Sequence, residues 1–215
     1  FPADLIDFLW GSVRPRAPIN LAGLPLEGLA SGDPRGILSA AMGLALSGNR
    51  ACAFLSAADL AIGRDLLSMA AGRRLPLVLH LGNRAFGGQA TTLGSGHEAL
   101  HLAADSGCLV LTAVSVQEAV DFTLLARRVA EQALTSVVVS LDGECTALAM
   151  QDVRLLPTAR VEEFLGRPGD LIPTPNASQK LLFDATRRRV PRWHNPDRPV
   201  LLGGLQSPEV WGMGH

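Results

Sequence analysis

The sequence from about Asp33 to Asp142 alternates short, continuously apolar runs with longer segments of helical periodicity. The apolar runs predict four strands, at 51–56, 76–81, 108–113 and 136–141. The segments between and before them predict helices at 36–47, 58–71, 97–106 and 116–134. Strands that are apolar on consecutive residues are typical of a parallel sheet with both faces buried. We therefore expect an α/β fold: a doubly wound parallel sheet with helices on both faces.

Residues that typically end or begin helices occur at the boundaries of the predicted helices. Gly48-Asn49 and Gly72 come at the ends of the first two helical segments and are expected to terminate them. Ser115 and Glu118 have the spacing of a capping box, which predicts the start of the longest helix. Helix-terminating and helix-capping residues thus support the same elements that the apolar runs predict.

The pattern weakens after Asp142 into segments interrupted by proline. We expect residues 1–150 to form the core domain and residues 151–215 to form an irregular, Pro-rich extension that packs on the core or on a partner. The run Arg187-Arg188-Arg189 within this extension is interpreted as a solvated or interface surface.

Composition excludes several classes of function. The 19 basic residues are balanced by 20 acidic ones, so no basic surface for nucleic acid is indicated. Lys180 is the single lysine, and no phosphate-binding P-loop with its lysine occurs. The cysteines, Cys52, Cys108 and Cys145, are widely spaced, which suits a reducing cytoplasm and argues against an iron–sulfur cluster held by this chain alone.

No apolar run reaches the roughly 20 residues that a transmembrane helix needs. The sequence begins at Phe1 without the pattern of a signal peptide, so we expect an N-terminus that is processed or incomplete. These features favour a cytoplasmic protein without a membrane span.

The most conspicuous local motif is His97-Glu98-Ala99-Leu100-His101. On a helix, His97 and His101 would share one face and could bind zinc with Glu98 as general base, which would make a zinc hydrolase. Glu118, supported by Asp121, is the candidate third ligand. A predicted strand separates the two helices, however, and the alternative is that both histidines lie on a helix surface.

Two loops could bind a ligand at the carboxyl ends of the strands. The first follows strand 76–81 and contains Arg84, whose guanidinium could pair with a substrate carboxylate, or with a neighbouring acid on an ordinary surface loop. The second is Ser31-Gly32-Asp33-Pro34-Arg35-Gly36, which could offer backbone amides to an anion. In the simpler interpretation of this turn, Asp33 is the N-cap of a helix that begins with Pro34.

A collinear series of segments resembles the first domain of the pyruvate:ferredoxin oxidoreductases and their 2-oxoacid relatives. Residues 51–60 (ACAFLSAADL) are similar to the family's T-x-T-F-T-S-S-Q-G-L, and residues 66–76 (LLSMAAGRRLP) to its LYMAAGERLP. Residues 79–85 (LHLGNRA) are similar to IHVANRA and residues 115–121 (SVQEAVD) to NVQEAYD. Residues 3–7 resemble the helix after the motif Y-P-I-T-P-S-S, and 195–199 and 206–210 the closing segment. The family commonly has a histidine at the position of His97, which would explain that residue without zinc.

The resemblance implies the thiamine-diphosphate-binding fold, in a domain that covers the aminopyrimidine ring. A partner subunit or domain with a G-D-G motif would hold magnesium and the diphosphate, and further partner subunits would carry iron–sulfur clusters. The implied activity is oxidative decarboxylation of a 2-oxoacid such as pyruvate, with electrons passed to ferredoxin, by a hetero-oligomer of which this chain is one part. Arg84 matches the family's carboxylate-binding arginine, and Gly36, Ser56 and Asn83 are expected to contact the cofactor.

The sequence departs from the family pattern chiefly at the position of the family's catalytic glutamate. It falls at Pro34, with Gly36 on the following glycine of the motif, and Asp33 could replace it only if the local alignment shifts by one residue. Two interpretations remain: a working pocket with altered residues, or a non-catalytic structural subunit of the same fold in a redox complex.

Overall fold

The computed structural model describes residues 19–20, 23, 25–87, 96–146 and 149–194. Its core consists, in chain order, of α1 (Pro34–Leu46), β1 (Cys52–Ser56), α2 (Ala57–Gly72), β2 (Val78–Asn83), α3 (Glu98–Asp105), β3 (Leu109–Ala113), α4 (Val116–Ala133) and β4 (Val137–Asp142). All four predicted strands and all four predicted helices of this region are confirmed, with small shifts at their ends. The segments 3–7, 195–199 and 206–210, which resemble parts of the family's sequence, lie outside the described residues.

The core strands form one parallel sheet with the order β1-β2-β4-β3. The connection from β3 to β4 runs back toward β2, opposite to the preceding crossovers. With right-handed crossovers, this reversal puts α4 on the opposite face from the earlier helices. The predicted doubly wound α/β fold is therefore confirmed.

Each face of the sheet has its own apolar cluster. On the face of α1, α2 and α3, the cluster includes Leu38, Leu60, Leu67, Leu79, Leu81 and Val138. On the face of α4, the smaller cluster consists of Val78, Val137 and Val139 against Ala126 and Ala130. Strands β2 and β4 are buried on both faces along most of their length, as their sequences predict. Strand β1 departs from this expectation, since Cys52 and Phe54 are exposed whereas Ala53 and Leu55 are buried.

The helix ends agree in part with the sequence. Gly48 follows α1 with a φ of 84°, a left-handed conformation that glycine adopts without strain. Gly72 is instead the last residue of α2, and the left-handed residue beyond it is Arg74, with a φ of 55°. At the start of α4 the Ser115 hydroxyl accepts from the Glu118 amide, but the Glu118 carboxylate accepts from Val114, so only half of the predicted capping box forms.

The C-terminal extension is more regular than its prolines suggest. It contains α5 (Thr158–Leu165), β5 (Leu171–Pro173), α6 (Ala177–Phe183) and β6 (Thr186–Arg188), and β5 and β6 form a two-stranded antiparallel sheet. Near its end, the backbone amide of Trp193 donates to the Leu46 carbonyl at the end of α1. The described part of the extension therefore packs on the core.

Buried charges join the extension to the core. Arg50 donates to both carboxylate oxygens of Glu131, which is fully buried, at 2.6 and 2.8 Å, and to the Leu165 carbonyl at 3.0 Å. Arg187 is only 3% exposed and donates to the carbonyls of Glu131 and Gln132 at the end of α4. The interpretation of the arginine run as a surface is wrong for Arg187.

In the part of the chain that the structure describes, no helix is both long enough and apolar enough to cross a membrane.

Candidate functional site

The parallel register brings the ends of the strands to one edge of the sheet. Ser56 pairs with Gly82, Asn83 pairs with Asp142, and Ala113 pairs with Leu141. Ligands of open parallel sheets bind outside this carboxyl edge, because loops from several strands converge there. The candidate site is therefore assembled from the residues that follow β1, β2, β3 and β4.

Asp142 contributes a carboxylate to this edge. One of its oxygens accepts from the backbone amides of Glu144 and Cys145, at 2.9 and 2.8 Å. The bond from Cys145 is the largest of the contributions that hold the pKa of Asp142 below its usual value. The turn after β4 is thus fixed around a carboxylate that is charged at neutral pH.

Asn83 ends β2 with its side chain inside the protein. The residue is 2% exposed, and its amide oxygen has no hydrogen-bond partner among the described residues. Ser140 on the neighbouring strand is also buried, and its hydroxyl likewise lacks a partner there. Buried polar atoms are almost always hydrogen-bonded, so these two mark a place where a water molecule or a ligand group would be accommodated.

Arg84 follows Asn83 at the edge and is partly exposed. Within the described residues, no carboxylate lies within ion-pair distance of its guanidinium. The simpler expectation, that Arg84 pairs with a neighbouring acid, is therefore not met within the described residues. A guanidinium without an ion-pair partner there can bind a ligand carboxylate by donating two parallel hydrogen bonds.

Asp33 is the N-cap of α1. One carboxylate oxygen accepts from the Arg35 amide at 3.0 Å and the other from the Gly36 amide at 3.1 Å. Pro34 occupies the first position of the helix, as the simpler interpretation of the turn predicts. A Cβ at Gly36 would lie 3.2 Å from the Ser31 hydroxyl and 3.4 Å from an Asp33 carboxylate oxygen, so the turn leaves little space for a side chain there. The carboxylate thus already has a structural role.

Ser56 caps the next helix. Its hydroxyl accepts from the Asp59 amide, and the Asp59 carboxylate accepts from both the Ser56 amide and the Ser56 hydroxyl. This is a complete capping box, whose Ser-x-x-Asp signature can be read in the sequence. The contact that we predicted between Ser56 and a cofactor stays a prediction, although this hydroxyl already has local partners.

The histidine motif does not gather metal ligands. His97 precedes α3 and His101 lies on its exposed side. The Glu118 carboxylate accepts from the Val114 amide, and the Gln117 side chain donates to Asp121. Among the residues that the structure describes, no group of three or more His, Cys, Asp or Glu side chains could hold a metal ion.

One cavity of about 360 Å³ lies away from the carboxyl edge, near the start of β1. It is lined by Arg50, Ala159, Glu162, Glu163, Gly166, Arg167 and Asp170. Its charges are of both signs, and Arg50 is already paired with Glu131. We assign no ligand to it.

A family model described as "Pyruvate flavodoxin/ferredoxin oxidoreductase, thiamine diP-bdg" matches residues 33–213. The chain is 36% identical over 138 residues to pyruvate synthase subunit PorA of Thermotoga maritima, covering 63% of this chain and 35% of that subunit. It is 31% identical over 176 residues to PorA of Methanocaldococcus jannaschii, covering 81% of this chain and 40% of that subunit. Pyruvate-flavodoxin oxidoreductase of Trichormus variabilis is 27% identical over 176 residues, covering 82% of this chain and 13% of that protein. The chain therefore spans less than half the length of each of these relatives.

A solved structure has the same fold. It is the 2-oxoglutarate:ferredoxin oxidoreductase from Magnetococcus marinus with 2-oxoglutarate, coenzyme A and succinyl-CoA bound. The two chains are 21% identical with a TM-score of 0.54, over 67% of this chain and 25% of that chain. The solved structure shows the fold alone, whereas the family model and the curated relatives support the oxidoreductase interpretation over the zinc hydrolase.

Proposed function

Since the chain belongs to the thiamine-diphosphate-binding pyruvate flavodoxin/ferredoxin oxidoreductase family, we propose that it contributes the aminopyrimidine side of a thiamine diphosphate site. The site would carry out the oxidative decarboxylation of a 2-oxoacid, with ferredoxin or flavodoxin as electron acceptor. The match over residues 33–213 is the observation that carries this proposal. We propose that the chain acts as one part of a larger enzyme, since the PorA relatives are subunits of a pyruvate synthase.

The described residues fit one part of the cofactor site. The unpartnered amide oxygen of Asn83 suits a hydrogen-bond donor, such as the amino group of an aminopyrimidine or a water molecule bound beside it. The sequence contains no G-D-G motif, and the described residues contain no cluster that could hold a metal ion. The magnesium ion and the diphosphate are therefore assigned to a partner subunit or domain.

Arg84 is proposed to bind the 2-oxoacid. Thiamine diphosphate, when bound, supplies the nucleophilic carbon and the electron sink for loss of CO₂. Arg84 would hold the substrate carboxylate through two N–H donors and so orient the neighbouring carbonyl toward the cofactor. Its position directly after a buried central strand fixes the backbone from which the side chain extends.

The iron–sulfur clusters are assigned to partner subunits. Cys52, Cys108 and Cys145 are free, and they lie apart in the fold: at the start of β1, directly before β3 and in the turn after β4. Burial raises the pKa of Cys108 to about 12, so this thiol is protonated at neutral pH and does not suit a thiolate ligand. Free cysteines suit a reducing compartment, and we place the protein in the cytoplasm.

Two experiments test this function. The native complex is purified from cells that contain this chain, and its subunits, thiamine diphosphate and iron are measured. We expect a diphosphate-binding subunit and iron–sulfur proteins to copurify. A pure chain with no such partners would contradict the proposal.

The second experiment replaces Arg84 in the assembled complex. Because the ion pair with substrate is lost, Arg84→Ala is expected to raise the KM for the 2-oxoacid by about 10²-fold or more, whereas Arg84→Lys keeps the charge and retains part of the affinity. Arg64→Ala, at an exposed position on α2, is the matched control. An unchanged KM in Arg84→Ala would remove Arg84 from the site.

The capping role of Asp33 favours a second candidate function, a non-catalytic structural subunit of the same fold. Both of its carboxylate oxygens accept backbone amides, and Pro34 stands where the family resemblance places a glutamate. In that case, Arg84→Ala would leave turnover of the complex unchanged, and removing the chain would instead cause the complex to dissociate.

A further inference from the structure

The face of the sheet that α1, α2 and α3 cover becomes polar near the carboxyl edge. On β4, Val138 belongs to the apolar cluster of this face, and Ser140 and Asp142 follow it at intervals of two residues. On the neighbouring β2, Leu81 belongs to the same cluster, and Asn83 follows two residues later. Because side chains alternate between the two faces of a strand, Ser140, Asp142 and Asn83 all point to this face.

Two of these polar side chains are buried and unpaired. Ser140 is fully buried, and Asn83 is 2% exposed. Neither the Ser140 hydroxyl nor the Asn83 amide oxygen has a hydrogen-bond partner among the described residues. Burying a polar atom without a partner is unfavourable, and in folded proteins ordered water often supplies the missing hydrogen bonds. The two atoms therefore indicate a bound polar molecule on this face of β2 and β4.

The strand register allows one water molecule to bridge the two side chains. Asn83 pairs with Asp142, and Ser140 lies two residues before Asp142 on the same strand. With strands about 4.8 Å apart and a rise of about 3.3 Å per residue, the Cα atoms of Asn83 and Ser140 are about 8 Å apart. One water with two hydrogen bonds of about 2.8 Å joins oxygens about 5.5 Å apart, a separation that side chains leaning along their strands can reach.

The three polar groups match the hydrogen bonds of a water molecule. The Ser140 hydroxyl can donate to the water, which in turn donates one hydrogen to the Asn83 amide oxygen and the other to the Asp142 carboxylate. The pKa of Asp142 lies below its usual value, so this third group is a charged acceptor at neutral pH. Buried waters typically have about three such partners. Serine is also much smaller than the leucine and valine residues of this face, as a position that shares its space with a water requires.

Such a water would act on the cofactor site through Asn83. An amide oxygen has two lone pairs, so one can accept from the water on the core side while the other accepts from a ligand donor outside the carboxyl edge. We propose that Ser140 is a positioning residue, which holds a buried water against Asn83 and Asp142 and thereby fixes the Asn83 amide in the orientation that meets thiamine diphosphate. The effect on the cofactor rests on the proposed function, whereas the water can be tested without it.

A crystal structure of the assembled complex tests the water directly. We expect an ordered water within about 3.2 Å of both the Ser140 hydroxyl and the Asn83 amide oxygen. In Ser140→Ala the water should be lost and the Asn83 side chain should rotate, whereas Ser140→Thr keeps a hydroxyl and should keep the water. A position that holds no water in the unchanged protein, or that the cofactor itself fills, would overturn the proposal.

Calorimetric titration of the complex with thiamine diphosphate tests the effect on Asn83. Ser140→Ala removes one water-mediated hydrogen bond from the Asn83 amide and should raise the Kd for the cofactor by about 3- to 10-fold, with the KM for the 2-oxoacid unchanged at saturating cofactor. Ser136→Ala is the matched control, since Ser136 is a buried serine at the other end of β4 whose hydroxyl donates to the Leu75 carbonyl at 3.0 Å. This control should lower the Tm and leave the Kd unchanged.

A double-mutant cycle distinguishes positioning from a general weakening of the fold. If Ser140 acts through Asn83, Ser140→Ala has no further effect on the Kd when Asn83 is already alanine. Additive effects, or an unchanged Kd in Ser140→Ala, would overturn the proposal and leave the proposed function intact. A complex that binds no thiamine diphosphate would instead overturn the proposed function, and with it the effect on the cofactor, while the crystal structure would still decide whether Ser140 holds the water.

Discussion

Arg187→Met is expected to destabilise the fold more than any surface substitution. The Arg187 guanidinium is buried and makes five hydrogen bonds, of 2.6 to 3.0 Å. The acceptors are the Gln179 side chain and the carbonyls of Glu131, Gln132, Arg188 and Arg189. The side chain therefore joins the two-stranded β5–β6 sheet and α6 to the last turn of α4, where helical carbonyls lack intrahelical partners.

The magnitude follows from what the substitution leaves behind. Burial lowers the pKa of Arg187 to about 10, so the guanidinium is still charged at neutral pH. Methionine fills similar space but leaves the buried Gln179 side chain and several carbonyls without donors. Removing one member of a buried charged network costs about 3–5 kcal/mol. Because the free energy of unfolding of a whole domain is about 5–15 kcal/mol, this is a large share of the total.

Urea unfolding followed by circular dichroism measures the loss in the free energy of unfolding. In thermal unfolding, a loss of about 3–5 kcal/mol corresponds to a fall in Tm of about 6–20 °C for a chain of this size. Arg160→Met is the control, since Arg160 forms an exposed ion pair with Glu163, and such pairs contribute about 0–1 kcal/mol. A loss below about 1 kcal/mol for Arg187→Met would refute the view that this network holds the extension on the core.

Two further predictions concern stability. Burial lowers the pKa of His80 to about 4 in the folded protein, below the 6.5 of an unperturbed histidine, so protonation favours the unfolded state. The free energy of unfolding should therefore fall by about 3 kcal/mol on account of His80 as the pH drops from 6.5 to 4. Urea midpoints measured across this pH range should fall less steeply in His80→Phe. Gly48→Ala should cost about 1–3 kcal/mol, because φ is 84° and the new Cβ would lie 2.6 Å from the Arg192 side chain. Gly43→Ala, in the exposed middle of α1 with nothing within 4 Å, should instead stabilise by about 0.5–1 kcal/mol, and thermal unfolding of both variants checks the contrast.

The core of the fold could be predicted because its signals are local. Strands β2 and β4 are buried on both faces, so they are apolar on consecutive residues. Strand β1 has a similar apolar composition, but its burial alternates, since Cys52 and Phe54 are exposed whereas Ala53 and Leu55 are buried. Whether a helix covers a particular strand depends on the strand order, which composition does not reveal.

Long-range partners account for the other differences. Arg187 reads as one member of an arginine run, and its acceptors at Glu131 and Gln132 lie more than 50 residues away in sequence. Ser56, in contrast, has a partner close in sequence. Its Ser-x-x-Asp signature indicates a capping box, but its match to a family motif led to a prediction of cofactor binding instead. The candidate site was predictable as a place, the carboxyl edge of the sheet, whereas the partners of its side chains were not.

The Asp33 carboxylate could cap α1 or transfer a proton, and the substitution Asp33→Asn distinguishes these two roles. Asn caps helices about as well as Asp, and its single amide oxygen can still accept from one of the two backbone amides, so Asp33→Asn keeps most of the cap and removes the acid. Asp33→Ala also removes the cap, at about 0.5–2 kcal/mol, and so confounds stability with activity. Because both carboxylate oxygens already accept backbone amides, we expect Asp33→Asn to retain the turnover and Tm of the assembled complex. A loss of turnover of about 10²-fold or more at unchanged Tm would show instead that the Asp33 carboxylate transfers a proton, and that the cap opens when the cofactor binds.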